Sequence, residues 1–261
     1  MTRYLSIAAL LFASLIAACG EKEVQSLTGT DPHGRVRFFN FGVNAPSVNF
    51  YADATKMTAV TSTTGTESTA GIAYGVVAAG GAYATIDPGQ HALTGRIAAA
   101  TDKDLPISSV TTTVEDGKYY SFYQSGFYNT TTKNVESFVV EDNFPISPDS
   151  TLATVRFVHA ISNANPMTLY AKSTTAGSTE LAVGTEVAYK GAGAFVTIPP
   201  GVYDVSTRYT GSATNAMTRT GVNFVGRKVY TITARGDITV APTTTGCVAA
   251  NRTCLDNTAN R

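Results

Sequence analysis

The sequence predicts an all-β protein that contains two tandem antiparallel β-sandwich domains. Thr, Gly, Ser and Val are abundant while charged residues make up only 15% of the chain, and this composition favours strands and turns. Apolar and polar residues alternate with period two in many segments, and no sustained helical period follows residue 18. A repeated sequence pattern indicates that one domain occurs twice.

The N-terminal segment predicts export. Arg3 precedes an apolar run from Leu5 to Ala18, which is 14 residues long. A membrane-spanning helix needs about 20 residues, so this length is typical of a cleaved signal peptide. The run ends in Leu15-Ile16-Ala17-Ala18-Cys19, which resembles the lipobox of bacterial lipoproteins. The alternative is an ordinary cleaved signal whose cysteine is incidental.

The lipobox resemblance implies cleavage between Ala18 and Cys19 and acylation of Cys19, for example by palmitate. Two or three acyl chains hold a protein stably on a membrane. Residues 1–18 are then the signal peptide, and residues 19–34 are an acylated cysteine with a flexible polar tether. Gly20 follows the cysteine, and by resemblance to Gram-negative sorting rules this favours the outer membrane over the inner one. The expected location is therefore the cell envelope.

A constant offset relates the two halves of the remaining chain. Val36 and Tyr51 correspond to Val155 and Tyr170, since 155 − 36 and 170 − 51 both equal 119. The offset shrinks further on because the first copy has longer loops, as expected when insertions fall between strands. The sequence therefore predicts a first copy over residues 35–142 and a linker that contains two prolines over residues 143–153. A second copy is predicted over residues 154–240, and a tail without a strand pattern over residues 241–261.

Each copy is predicted to contain about seven strands joined by Pro-Gly, Asp-Gly and Gly-Gly turns. Tyr203, Val205 and Thr207 are expected to face one side of a strand, while Asp204 and Ser206 face the other. Such alternation is typical of half-buried strands in antiparallel sheets.

Five segments of the repeat form a pattern that is found in a known family: Val155–Ala160, Asn44–Tyr51, Pro200–Val205, Gly117–Tyr120 and the acidic end Val139–Asp142. They resemble the bacterial family catalogued as domain of unknown function (DUF) 4397. The resemblance covers about residues 36–142 and 154–240, and it implies immunoglobulin-like sandwiches on exported proteins without implying an activity.

The remaining two cysteines predict a disulfide bond. Cys247 and Cys254 enclose a short loop, and an oxidising envelope compartment would favour their pairing. The alternative is a pair of free thiols in a disordered tail.

Few residues indicate chemistry. The net charge is zero, with 19 basic and 19 acidic residues, so no nucleic-acid partner is expected. The chain has no HExxH or GxSxG motif, so we expect no enzyme activity, metal or cofactor. Asp102-Lys103-Asp104 lacks the further carboxylates of a calcium loop. Among the three histidines, His159 is expected to be a hydrogen-bonded strand residue. Catalysis would require His159 or His91 beside a carboxylate in a concave pocket.

The densest aromatic segment supplies the remaining candidate site. Period two is expected to turn Tyr120 and Phe122 inward. Three tyrosines are then expected near the surface as candidate ligand-binding aromatics: Tyr119, Tyr123 and Tyr128.

Three function hypotheses follow. The preferred one is a non-enzymatic envelope lipoprotein that displays two sandwich domains for binding or scaffolding. The alternative is a carbohydrate-binding module of the cell surface, which would need the three tyrosines to be exposed and coplanar. A hydrolytic enzyme is third. The expected partners are the membrane, through the acyl chains, and a protein or glycan at the cell surface.

Overall fold

The computed structural model of the protein describes residues 33–58, 70–145, 149–241 and 253–260. The predicted signal peptide, Cys19 and most of the tether lie outside these residues. From His33 onward the chain forms one compact unit. The all-β prediction is confirmed, because the described residues form strands and a single 3₁₀ turn at Ala78–Gly81. The described part of the chain contains no helix that is long and apolar enough to cross a membrane.

The first copy contains two sheets. Its strands are β1 (Gly34–Val43), β2 (Val48–Ala52), β3 (Thr55–Lys56), β4 (Val76–Val77), β5 (Ala84–Ile86), β6 (Gly89–Ile97), β7 (Pro106–Val114), β8 (Tyr119–Asn129) and β9 (Asn134–Glu141). In the first sheet, β1 lies at the centre between β8 and the short strands β4 and β5, and β9 follows β8 at the edge. In the second, the strand order is β3-β2-β6-β7.

The second copy repeats this arrangement. Its strands are β10 (Ala153–Ala160), β11 (Met167–Ser173), β12 (Leu181–Val187), β13 (Val196–Ile198), β14 (Gly201–Tyr209), β15 (Met217–Phe224), β16 (Val229–Arg235) and β17 (Cys254–Ala259). One sheet has the order β13-β10-β16-β17 and the other has the order β12-β11-β14-β15.

Each copy contains one parallel strand pair, which the alternation pattern does not reveal. β1 runs parallel to β8, with Phe38 opposite Phe122, and β10 runs parallel to β16, with Phe157 opposite Ile232. All other strand pairs in the described residues are antiparallel. The two parallel registers differ by 119 and 110 residues (157 − 38 and 232 − 122), so the structural repeat follows the sequence repeat.

Each copy has its own apolar core between its two sheets, as expected for a sandwich. The first core includes Phe38, Phe50 and Leu93, all almost fully buried. The second includes Leu169 and Val205. Period-two alternation therefore predicts the inward faces correctly.

The C-terminal segment differs from the prediction. A tail without a strand was expected after residue 240, but Cys254–Ala259 form β17, which pairs antiparallel with β16. Leu255 is 3% exposed and belongs to the core of the second copy. The strand contains Asp256, Asn257 and Ala259, residue types with low strand propensity, so it depends on pairing with β16. In the first copy β9 occupies the equivalent position beside β8.

Candidate functional site

The main feature outside the two cores is the interface between the copies. The sheet of β1, β8 and β9 packs with its outer face against β10, β16 and β17, so β8, β10 and β16 are buried on both faces. Tyr123 lies at the centre, stacked on Phe39 at 4.5 Å and on Phe138 at 5.0 Å between ring centroids. The apolar cluster at this interface draws residues from both copies: Phe39, Phe41, Tyr123, Phe138, Val158 and Ala160.

A buried carboxylate lies beside this apolar cluster. Asp142 follows β9 and its side chain is fully buried. It accepts hydrogen bonds from the Tyr83 hydroxyl at 2.6 Å and the Ser121 hydroxyl at 2.7 Å, and it forms an ion pair with Arg156 of the second copy. A buried carboxylate needs such partners because its desolvation is costly.

Arg37 of the first copy completes the buried polar group. Its Nη2 lies 4.0 Å from Asp142 and donates hydrogen bonds to Ser121 at 3.3 Å and to the side-chain oxygen of Asn260 at 2.6 Å. Arg37 is 0% exposed and Arg156 is 2% exposed. Two buried guanidinium groups therefore share one carboxylate.

The residues that make the polar contacts across the interface occupy equivalent positions in the two copies. The backbone N–H of Asp142 bonds to the carbonyl of Tyr119, and that of Asn260 bonds to the carbonyl of Val229, both at 2.7 Å. Asn260 is thus the second copy's counterpart of Asp142. It donates to the Thr231 hydroxyl at 2.9 Å, and Arg156 donates to the same hydroxyl at 3.1 Å.

The two arginines also have equivalent aromatic neighbours. The Arg37 guanidinium lies 4.5 Å from the ring centre of Tyr83, and that of Arg156 lies 4.7 Å from Phe195. Desolvated cation–π pairs of this kind contribute about 2 kcal/mol. Burial, reinforced by the negative charge of Asp142, raises the pKa of the Tyr83 hydroxyl, so Tyr83 remains a hydrogen-bond donor to that carboxylate.

The three candidate tyrosines do not form the expected exposed group. Tyr123 is 0% exposed because the second copy covers it, so its predicted exposure was wrong. Tyr119 is half-buried, with Arg35 5.1 Å from its ring centre. Tyr128 is half-buried and packs against the first core, on the side that period two assigns to Tyr120. The coplanar platform that a carbohydrate-binding module would need is therefore absent from these three residues.

A separate polar pocket of about 200 Å³ lies at one end of the first copy. His91 Nδ1 lies 2.7 Å from a carboxylate oxygen of Asp53, and its Nε2 lies 2.8 Å from the carbonyl of Asp87. Nδ1 of His33 is 3.5 Å from the Asp87 carboxylate. This is the combination of histidine, carboxylate and concavity that an enzyme would require, although the described residues include no group of His, Cys, Asp and Glu suited to hold a metal ion.

The hydrogen bonds of His91 decide what this pocket can do. Burial lowers the pKa of His91, but the bonds to Asp53 and to the Asp87 carbonyl outweigh it and raise that pKa above its usual value. Only the protonated ring donates from both nitrogens, which matches two acceptors. His91 therefore links β6 to the loop after β2, and both nitrogens are occupied by protein acceptors.

His159 is a buried strand residue, as expected. Its side chain is 0% exposed, its Nε2 lies 3.2 Å from the Asn165 carbonyl, and its Nδ1 accepts from the Ile161 N–H at 3.2 Å. Burial lowers the pKa of His159, which fits the neutral ring that these partners require.

The remaining candidates are only partly described. Cys254 is 2% exposed at the start of β17, while Cys247 lies outside the described residues, so their disulfide stays a prediction. Both carboxylate oxygens of Asp102 lie 2.7 Å from Lys133 Nζ. Asp102 is thus paired with a lysine.

Sequence reasoning did not identify the polar group at the interface. Arg37 and Arg156 were visible only as equivalent positions in the repeat, and Asp142 only as the end of a family pattern. The usable signal was an arginine at the same place in both copies, flanked by apolar residues on a central strand. Such a charge needs a partner when it is buried.

The fold and the interface define a tandem β-sandwich protein whose two copies dock through equivalent faces. The family model described as Domain of unknown function (DUF4397) matches residues 34–170 and 153–254, so the chain belongs to this family. A comparison with curated proteins finds no match.

Proposed function

We propose that the protein is a non-enzymatic lipoprotein of the cell envelope that presents its two docked β-sandwich copies for binding or scaffolding. Acyl chains on Cys19 would hold it on a membrane, the outer membrane in a Gram-negative host. The polar segment up to residue 34 would then separate the sandwiches from the lipid surface.

The single observation that carries the scaffolding role is the buried interface between the copies. Interfaces between domains of one chain usually permit relative motion unless they are extensive and apolar. Here the apolar cluster that Phe39 and Tyr123 form with Val158 and Ala160, together with the buried Asp142–Arg156 ion pair, connects the two copies. A pair of domains held in this way presents a fixed surface to a partner.

The histidines support a non-enzymatic role. A general base needs a ring nitrogen within hydrogen-bond reach of a substrate. Both nitrogens of His91 and both of His159 already have partners within the protein.

The anchor is tested by intact mass and by fractionation. The membrane-extracted protein is expected to have the mass of residues 19–261 plus two or three acyl chains, increased by about two hydrogens on reduction if the predicted Cys247–Cys254 bond forms. A Cys19→Ala variant is expected to leave the membrane fraction and keep its fold, as judged by circular dichroism. Membrane retention of this variant would refute the anchor.

The absence of enzyme activity is tested separately with purified residues 33–261 and generic ester, peptide and glycoside substrates. A turnover that disappears in a His91→Gln variant would contradict the proposal and would identify the histidine pocket as an active site.

A further inference from the structure

We infer that the interface face of each copy is a self-complementary docking surface for a second copy of the same domain. In this chain the partner is supplied within the molecule, and a second chain of this protein can supply it instead. This inference concerns how the domains assemble, and it does not depend on the proposed function.

Reciprocal contacts are the first argument. Arg37 of the first copy bonds to Asn260 of the second at 2.6 Å, and Arg156 of the second copy pairs with Asp142 of the first. The two arginines occupy equivalent positions, and so do Asp142 and Asn260. An interface in which residue i contacts j and j contacts i is the arrangement found in twofold-symmetric dimers.

Each arginine is also positioned in the same way within its own copy. Arg37 bonds to Ser121 of the neighbouring strand, and Arg156 bonds to Thr231, which is the equivalent hydroxyl. The aromatic rings beneath the two guanidinium groups, Tyr83 and Phe195, are 112 residues apart (195 − 83), the same offset that relates Ile86 to Ile198. Each copy thus positions its arginine by contacts within that copy, and the guanidinium group then contacts the other copy.

The central strands of the two copies contribute equivalent residues to the apolar part of the interface, whereas Tyr123 and Phe138 correspond to Thr233 and Asp256. Phe39 and Phe41 of β1 correspond to Val158 and Ala160 of β10, and all four belong to the shared cluster. A face that offers both an arginine and its acceptor, around a common apolar centre, complements another copy of itself.

Covalent linkage explains why the interface face of the first copy docks on the second copy of the same chain. A short connection gives the second copy an effective concentration of about millimolar near the first, which exceeds the concentration of other chains in solution. Docking between chains is therefore expected when the contact between the two copies of one chain is made unfavourable and the contact between copies of different chains stays favourable.

A charge-reversal experiment on the full chain creates that situation. In an Asp142→Arg variant the new guanidinium group faces those of Arg37 and Arg156 without a carboxylate, and in an Arg156→Asp variant two carboxylates face each other beside Arg37 alone. When the two variants are co-expressed with different tags, exchange of copies restores opposite charges at both interfaces. We expect each variant alone to give no dimer and the mixture to give a 1:1 dimer by light scattering and native mass. A mixture without this dimer would overturn the inference.

The double variant Asp142→Arg, Arg156→Asp in one chain is the matched control, and it is expected to be a folded monomer. If it does not fold, a second measurement that keeps the native residues decides. A protease site placed between Pro145 and Asp149 is cut in two preparations with different tags. After mixing, first copies of one preparation are expected to capture second copies of the other. Halves that separate on cutting and do not rebind would refute docking between chains.

Discussion

Asp142 is the buried carboxylate that Arg37 and Arg156 share at the interface. Its carboxylate compensates Arg156 directly and lies 4.0 Å from Arg37, and all three side chains are buried. In an Asp142→Asn variant both arginines lose their counter-charge. We expect the free energy of unfolding to fall by about 3–5 kcal/mol, the usual cost of breaking a buried ion pair, as measured by urea denaturation.

The matched control for this substitution is Asp104→Asn. Asp104 is exposed and has a φ of 62°, a backbone conformation that Asn also tolerates, so we expect a change within about 0.5 kcal/mol. An Asp142→Asn variant as stable as this control would show that the ion pair contributes little.

Asn260 offers the opposite test. Its side-chain oxygen accepts from Arg37, so an Asn260→Asp substitution supplies the second carboxylate that the two arginines lack. Thr231 can then donate to it while still accepting from Arg156, as Ser121 does between Arg37 and Asp142. We expect a gain of about 1 kcal/mol in the free energy of unfolding, because hydrogen bonds to a charged group are stronger.

The comparison for Asn260→Asp is Asn223→Asp, which places the same charge on an exposed position of β15. No gain is expected there. A gain of equal size at both positions would indicate a general effect of net charge and would contradict the specific pairing with Arg37.

His91 predicts a pH dependence of stability. Its pKa is raised in the folded state, so its stabilising contribution is complete below the unfolded pKa of 6.5 and is lost as the pH rises through the folded pKa. The difference in unfolding free energy between the wild type and a His91→Gln variant should therefore shrink from pH 5.5 to pH 8.5.

The contribution of His159 to stability changes with pH in the opposite direction. Its pKa is lowered by burial, so its contribution is present at neutral pH and is lost as the pH falls. The His91→Gln variant should consequently gain more stability than the wild type as the pH rises, in urea denaturation at constant ionic strength. A difference between the two proteins that stays constant across this range would refute the assignment.

At the scale of elements, β17 is predicted to be an essential edge of the second copy. Leu255 is 3% exposed in the core, and β17 covers one side of β16. We expect Leu255→Ala to lower the free energy of unfolding by about 2–4 kcal/mol. Val202→Ala, on a strand residue that is 42% exposed, should change it by about 0.5 kcal/mol or less. Similar values for the two variants would mean that β17 is not part of the folded core.

The strands also show what the sequence could and could not predict. Alternation along β14 correctly places Tyr203, Val205 and Thr207 on the face that packs in the core, although Ser206 on the other face is buried as well. On β8 the same rule places Tyr123 at the surface, although both faces of β8 are covered. Period two distinguishes the two faces of a strand but does not show whether a second domain covers the polar one.

The candidate site was less predictable than the fold for the same reason. Arg37, Asp142 and Asn260 lie far apart in the chain, and their contacts depend on how the copies dock. No local pattern contains that information. The His91–Asp53 contact likewise joins residues 38 positions apart (91 − 53), and only the pairing of β2 with β6 brings them together.

At the scale of the whole molecule, the interface predicts cooperative unfolding. Proteins with several domains commonly unfold in more than one step. Because a buried ion pair and a shared apolar cluster connect the copies here, we expect a single transition for the wild type by calorimetry and by tyrosine fluorescence. An Asp142→Arg variant should show two transitions. Two resolved transitions in the wild type would contradict a tightly coupled pair.

Strand β17 has a consequence for the order of events when the chain emerges N-terminus first. All described strands of the first copy have emerged once Glu141 has emerged, whereas β16 lacks its antiparallel partner until Cys254–Ala259 emerge. Until then Arg37 lacks Asn260, and Leu255 is missing from the core of the second copy. Incompletely folded chains expose apolar surface and are prone to aggregation, so the pairing of β17 with β16 ends the period in which the second copy lacks part of its core.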